Sequence, residues 1–152
     1  MKRILIYAAL LAVTLAVPLQ ATDIGKLHPV ELIQLYRDGD TIVICTDTGA
    51  AGKGSTVAHA VANLKATTTG IVFLDTAEYL LVEESAEEDY PQITQYLKPS
   101  VKVCRSTGEI DLHQAAVFLD IHRPALGLRD VKGIRNAPIL KKQDTQMILK
   151  EF

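Results

Sequence analysis

The chain has 152 residues, with 16 Lys and Arg against 18 Asp and Glu, and 48% of it is hydrophobic. A mildly acidic balance without a basic stripe argues against nucleic acid as a partner. Two cysteines, Cys45 and Cys104, are too few for a disulfide framework in a chain able to bury a core of its own.

At the N-terminus, Lys2 and Arg3 precede an apolar run from Ile4 to Val17, then Pro18-Leu19-Gln20-Ala21. A positive start, 14 apolar-run residues and a small residue at the end read as a secretory signal peptide over residues 1–21. The run is shorter than the roughly 20 residues of a membrane span, the alternative being an uncleaved anchor. On this reading residues 22–152 form one domain, periplasmic or secreted and free of the membrane after cleavage. Without Lys2 and Arg3 that domain carries 14 basic and 18 acidic residues. Export makes a disulfide chemically allowed.

Residues 26–39 (KLHPVELIQLYRDG) read as a short helix, with Pro29 in its first turn and Val30, Ile33 and Leu35 on its buried side. Asp38-Gly39-Asp40 is a turn, and TIVICTD (41–47) is a strand buried on both faces. TGAAGKGS (48–55) reads as a glycine-rich loop. A helix then runs to about Lys65, with Val57, Ala58, Val61, Ala62 and Leu64 on its apolar face. IVFLDT (71–76) is a second buried strand, completing a βαβ unit. The acidic run Glu83–Asp89 reads as a solvated face or loop before a helix at 91–98. A strand at 101–104 and a helix from about Glu109 to Leu119 follow. The remainder holds a fourth strand within 125–136 and a terminal helix at 143–152. The alternation predicts an α/β fold with a mainly parallel sheet flanked by helices.

Two places in this order could carry chemistry. Asp47, Gly49, Gly52, Lys53, Gly54 and Ser55 lie between a strand and a helix, where a phosphate-binding loop belongs. The nucleotide pattern G-x-x-x-x-G-K-[ST] fails, because Asp47 stands at its first glycine and Gly54 follows Lys53. The open readings are a small-anion site built from backbone N–H groups and Lys53, nucleotide use, or a plain strand-to-helix turn. Cys104 ends a predicted strand, and Ser106-Thr107-Gly108-Glu109 has the form of a capping box. A helix starting there would aim its positive end at the thiol and lower its pKa, with Arg105 and Ser106 beside it. The alternative for Cys104 is a buried structural cysteine. Cys45 reads as core, and a Cys45–Cys104 disulfide requires that their strands be neighbours. Cys45, Cys104, His59 and His113 lack metal-site spacing, so no metal is expected, and no motif points to a cofactor. His122 and His59 read as surface or satisfied groups, and Asp47 and Asp75 stand at strand exits.

The order TIVICTDTGAAGKGSTVAHAVANL, GIVFLDTAEYLLV, ITQYLKPSVKVCRSTGEIDL is similar to the DsrE/DsrF-like family of sulfur-relay domains over about residues 41–115. The resemblance implies a three-layer α/β sandwich, with Cys104 as the sulfur-accepting residue that forms a persulfide. It also implies a homo-oligomer, a trimer or hexamer, whose partner is a sulfur donor or acceptor protein or a small thiol. The first expected function is therefore an exported sulfur-trafficking or thiol-redox domain using Cys104. Two others stand beside it: a non-enzymatic binding or assembly module of DsrE-like fold, and a small-anion domain using the glycine-rich loop.

Overall fold

A computed structural model describes residues 27–131, 133–143 and 146–151. The expected signal peptide at 1–21 lies outside them. The elements in chain order are β1 (Leu27–Pro29), β2 (Leu32–Asp38), β3 (Thr41–Thr46), β4 (Ala51–Gly54), α1 (Val57–Thr67), β5 (Ile71–Phe73), β6 (Tyr79–Glu83), α2 (Tyr90–Ile93), β7 (Lys102–Thr107), α3 (Leu112–Ile121), β8 (Ile139–Gln143) and β9 (Gln146–Lys150). Seven strands form one mixed sheet in the order β4-β3-β2-β6-β7-β8-β9, and β1 pairs with β5 in a small parallel ribbon. The middle strands β2, β6, β7 and β8 run parallel, and an antiparallel hairpin closes each side. Helices cover both faces, which makes the architecture α/β, as the alternation of elements implied.

The expected helix at 26–39 is instead β1 and β2. Val30, Leu32, Ile33 and Leu35 would spread around a helix rather than form one stripe. In a strand covered on both sides they alternate into two cores, and Leu32 through Leu35 are all buried. The strand at 41–47 does not enter a βαβ unit with 71–76. It lies antiparallel to β2 and β4, whereas β5 pairs with β1 outside the main sheet. The strand that enters the parallel core is β6, which sequence reading passed over. The strand expected at 101–104 extends to Thr107, and the helix after it starts at Leu112 with Asp111 as its N-cap, accepting from Gln114 N–H at 3.0 Å. The expected terminal helix at 143–152 is the β8–β9 hairpin, and the strand sought in 125–136 falls at 139–143.

One face of the sheet packs Ile33, Leu35, Ile42, Ile44, Leu80, Val82 and Val103 against α1 and the chain around α2. The other packs Leu32, Leu81, Cys104 and Leu140 against Ala115, Ala116 and Leu119 of α3. The acidic run is not a solvated loop. It forms a 3₁₀ turn over the first face, where Asp89 is 2% exposed and takes a bidentate pair from Arg37, Nε–Oδ2 2.6 Å and Nη2–Oδ1 2.9 Å. Glu87 lies 2.6 Å from the Arg105 guanidinium and 3.3 Å from that of Arg135. A buried carboxylate persists only with such partners.

Helix α1 begins at an N-cap, Thr56, whose hydroxyl accepts from His59 N–H at 3.2 Å. It buries Val57, Ala60, Val61 and Leu64, leaving Ala58 and Ala62 outside. Gly52 and Gly54 are the seats for this helix. A Cβ on Gly52 would run into the Ala60 carbonyl and stand 2.5 Å from Leu64 Cβ; one on Gly54 would stand 2.5 Å from Ala60 N. Both obstacles include helix backbone, which cannot swing aside. Gly52→Ala should therefore cost about 3 kcal/mol or more, as overpacking does at its upper end. Urea unfolding measures this, and a loss under about 0.5 kcal/mol, the ordinary surface range, would contradict the packing described.

Candidate functional site

The residues expected to form an anion loop are occupied by the fold. Gly52, Lys53 and Gly54 belong to β4, laddered to β3 with Ile44 opposite Gly52 and Val43 opposite Lys53. Their neighbours form a tight turn in which the N–H groups are already bonded. Asp47 N–H reaches Leu32 O, Gly49 N–H reaches Thr46 O, and Ala50 N–H reaches Thr46 Oγ1. Lys53 N–H donates to Asn63 Oδ1 at 3.0 Å. Gly49 is glycine because the turn needs φ +83° there. The Asp47 carboxylate accepts from the N–H groups of Glu31 and Leu32 at 3.1 Å each, and Ser55 Oγ sits 3.3 Å from His59 Nδ1. An anion cradle needs free converging N–H donors, and this segment presents a paired strand instead.

The setting expected for Cys104 is also corrected. It lies inside β7, 1% exposed, among Leu32, Leu81, Leu140 and the α3 residues Ala115 and Leu119. Burial, and then the charge of Glu151, push its thiol up to about 12. Ser106 is a strand residue with a buried, unpartnered hydroxyl rather than a helix cap, and Arg105 points to the opposite face, toward Glu87. The helix α3 starts at Leu112, eight residues beyond Cys104, and its N-cap is Asp111 and not a residue of the expected capping box. The two cysteines do not meet. Cys45 is in β3 and Cys104 in β7, with β2 and β6 between them, so they stand roughly 14 Å apart at about 4.8 Å per strand. A disulfide tolerates about 7 Å between Cα atoms at most. Both thiols are free.

What the structure does bring together is a crevice on the α3 face, at the carboxyl ends of the parallel strands. From β2 the chain leaves toward β3 and β4; from β6 it leaves toward β7. Divergence of this kind at the C-terminal ends of adjacent parallel strands opens the position where α/β proteins bind ligands. Here the cavity holds about 550 Å³ and is lined by Gln34 and Tyr36 of β2, Cys45 of β3, Glu83 of β6, and Glu109 and Ile110 ahead of α3. The sheet register sets Gln34 directly across from Cys45, with both side chains on this face. Gln34 is 9% exposed, and its amide makes no hydrogen bond among the described residues. The Cys45 thiol is half-buried and donates weakly to the Tyr36 hydroxyl, Sγ to O 4.0 Å. Burial raises the Cys45 pKa above its ordinary value, opposed by the Tyr36 hydrogen bond and the charge of Lys53.

A second cavity, about 660 Å³, lies on the α1 face between Glu87, Tyr90, Val131, Ile134 and Arg135. Its carboxylate Glu87 is already met by Arg105 and Arg135, and the Tyr90 hydroxyl is sealed from solvent. Among the described residues no three His, Cys, Asp or Glu side chains are grouped to hold a metal ion, and no helix is long and apolar enough to cross a membrane. Gln34 and Tyr36 belong to no motif in the sequence, and Glu83 and Glu109 read there as part of a solvated acidic run and of a capping box. The available signal was Gln34 itself, a polar residue inside LIQLY once that run is read as a strand buried on both faces.

The chain matches no protein-family model, no curated protein and no solved structure. The geometry alone therefore distinguishes the two sulfurs. In the folded protein iodoacetamide should modify Cys45 and leave Cys104 untouched until denaturant is added. Because the Cys45 pKa is raised, its thiolate fraction at pH 7 is below that of a free cysteine. Its labelling rate should accordingly keep climbing beyond the ordinary thiol pKa. Peptide mapping by mass spectrometry reads both results, and rapid labelling of native Cys104 would refute the burial described.

Proposed function

We propose that this domain is a non-enzymatic binding module that holds a small ligand in the crevice between the carboxyl ends of β2 and β6. The observation that carries the reading is Gln34, a residue nine-tenths buried whose amide lines a cavity with no hydrogen bond among the described residues. The amide opens to the cavity instead of being sealed in the core, so its oxygen and nitrogen are available to a ligand. Neither alternative finds comparable support. The glycine-rich segment has no free N–H cradle, and a nucleophile needs an accessible thiolate, which Cys104 lacks. Export through the leader expected at residues 1–21 belongs to the same proposal.

The test is Gln34→Leu, close in volume and without polar atoms. It should leave unfolding stability within about 0.5 kcal/mol of the parent, because the amide it removes opens to the cavity and holds no other group among the described residues. Denaturant titration measures it. A loss of stability of 1 kcal/mol or more would mean that the amide is needed by the fold, and the ligand reading would lose its basis.

A second reading follows from the half-exposed thiol in the same crevice. If the DsrE-like resemblance over residues 41–115 reflects a sulfur-handling ancestry and fold, the sulfur would be carried on Cys45 and not on Cys104. The thiolate would attack a sulfane sulfur of a polysulfide, forming a Cys45 persulfide and expelling the shortened polysulfide anion. Incubation with inorganic polysulfide followed by mass spectrometry should then locate one added sulfur on Cys45. An unmodified Cys45, with the free thiol of an unfolded control reacting, would remove this reading.

A further inference from the structure

Resting on the crevice as the ligand site, we propose that its ligand is an organic cation, a molecule presenting an ammonium group. Three carboxylates line or rim the cavity from three elements: Asp38 at the end of β2, Glu83 at the end of β6 and Glu109 in the segment before α3. Among the described residues none of the three is in an ion pair. Glu83 has only a hydrogen bond from Ser85 Oγ, at 3.3 Å.

Two basic side chains, Arg37 and Lys53, lie near the cavity among the described residues. Arg37 lines it, but its guanidinium is held by Asp89 through two short bonds on the other side of the sheet. Lys53 of β4 shares the face of Cys45 but is exposed outside the cavity lining, one positive charge against three negative. The positive end of α3 is nearby, and Asp111 answers it by accepting from Gln114 N–H. The balance that a ligand meets is negative. The neighbourhood registers on Tyr36, whose hydroxyl is harder to ionise than usual, first through burial and then through Cys45, Asp38 and Glu83.

The uncharged groups suit the same ligand. An ammonium donates up to three hydrogen bonds and accepts none. The Gln34 carbonyl and the Tyr36 hydroxyl are acceptors without a strong protein donor, and a phenol ring supplies a negative face to a cation. An anion would face the carboxylates with Lys53 as the one nearby cation outside an ion pair among the described residues. Gln34 distinguishes this crevice from an ordinary acidic surface, since it is a nine-tenths-buried polar residue lining the cavity with no side-chain hydrogen bond among the described residues.

The experiment compares three probes of one shape and different charge, benzylamine, benzyl alcohol and benzoate, by amide NMR shifts on the protein. Benzylamine should saturably shift residues 34–38 and 108–112, with benzoate leaving them in place. Glu83→Gln, which keeps an acceptor for Ser85 but removes the charge, should weaken benzylamine at least fivefold. Equal binding of benzyl alcohol or benzoate in the crevice, or an unchanged affinity in the Glu83 variant, overturns the cation preference while leaving the crevice a ligand site. A crevice that responds to none of the three overturns both this inference and the binding reading on which it rests.

Discussion

The parallel pairing of β2 with β6 decides most of what this domain is. It puts Leu32 through Leu35 at the centre of the sheet, where each successive side chain enters a different core. It also turns the chain in opposite directions from two adjacent strand ends, and the crevice is the space this leaves. The same alternation separates neighbours in sequence: Tyr36 faces the cavity near Cys45, while Arg37 reaches around the other face to Asp89. A one-residue slip of register would exchange these roles and bury a guanidinium where a phenol now lies.

The two faces of the sheet are closed by different means. On the α1 side the backbone of a helix rests on Gly52 and Gly54, so close that no side chain fits between, and the acidic segment is drawn in by Arg37 and Arg105. Charge that looks like a solvated run in the sequence is thus part of the cover. On the α3 side, among the described residues, one ten-residue helix covers a seven-stranded sheet, and its start leaves the ends of β2 and β6 open. The crevice lies where that cover stops.

The thiols illustrate how position in a sheet sets reactivity. Both cysteines lie on the α3 face and in one row across the strands, through Gln34 and Leu81. Cys104 is beneath α3, where apolar neighbours favour the neutral thiol; Cys45 is beyond the helix, at the cavity, with a hydroxyl and a lysine near it. Their chemical difference comes from which part of one surface the helix covers, not from their local sequences. The VKVC setting of Cys104 is the more suggestive of the two on paper and the less reactive in the fold.

The sequence by itself determined the α/β class, and local apolar spacing or capping marked a strand at 41–47, a helix to about Lys65 and a helix from about Glu109 to Leu119, which fold as 41–46, 57–67 and 112–121. It also placed Gly52, Lys53 and Gly54 between a strand and a helix, correctly in order but not in role. Whether a glycine serves a phosphate or a neighbouring helix depends on what approaches it. Only the tertiary structure decided that 32–38 is a central strand, that Cys45 and Cys104 are kept apart, and that Gln34, Tyr36 and Glu83 share a cavity. Apolar side chains at 30, 32, 33 and 35 record that burial is needed; they do not record from how many sides it comes. That is settled by strand pairing between residues some 45 positions apart, which no local window of the chain contains.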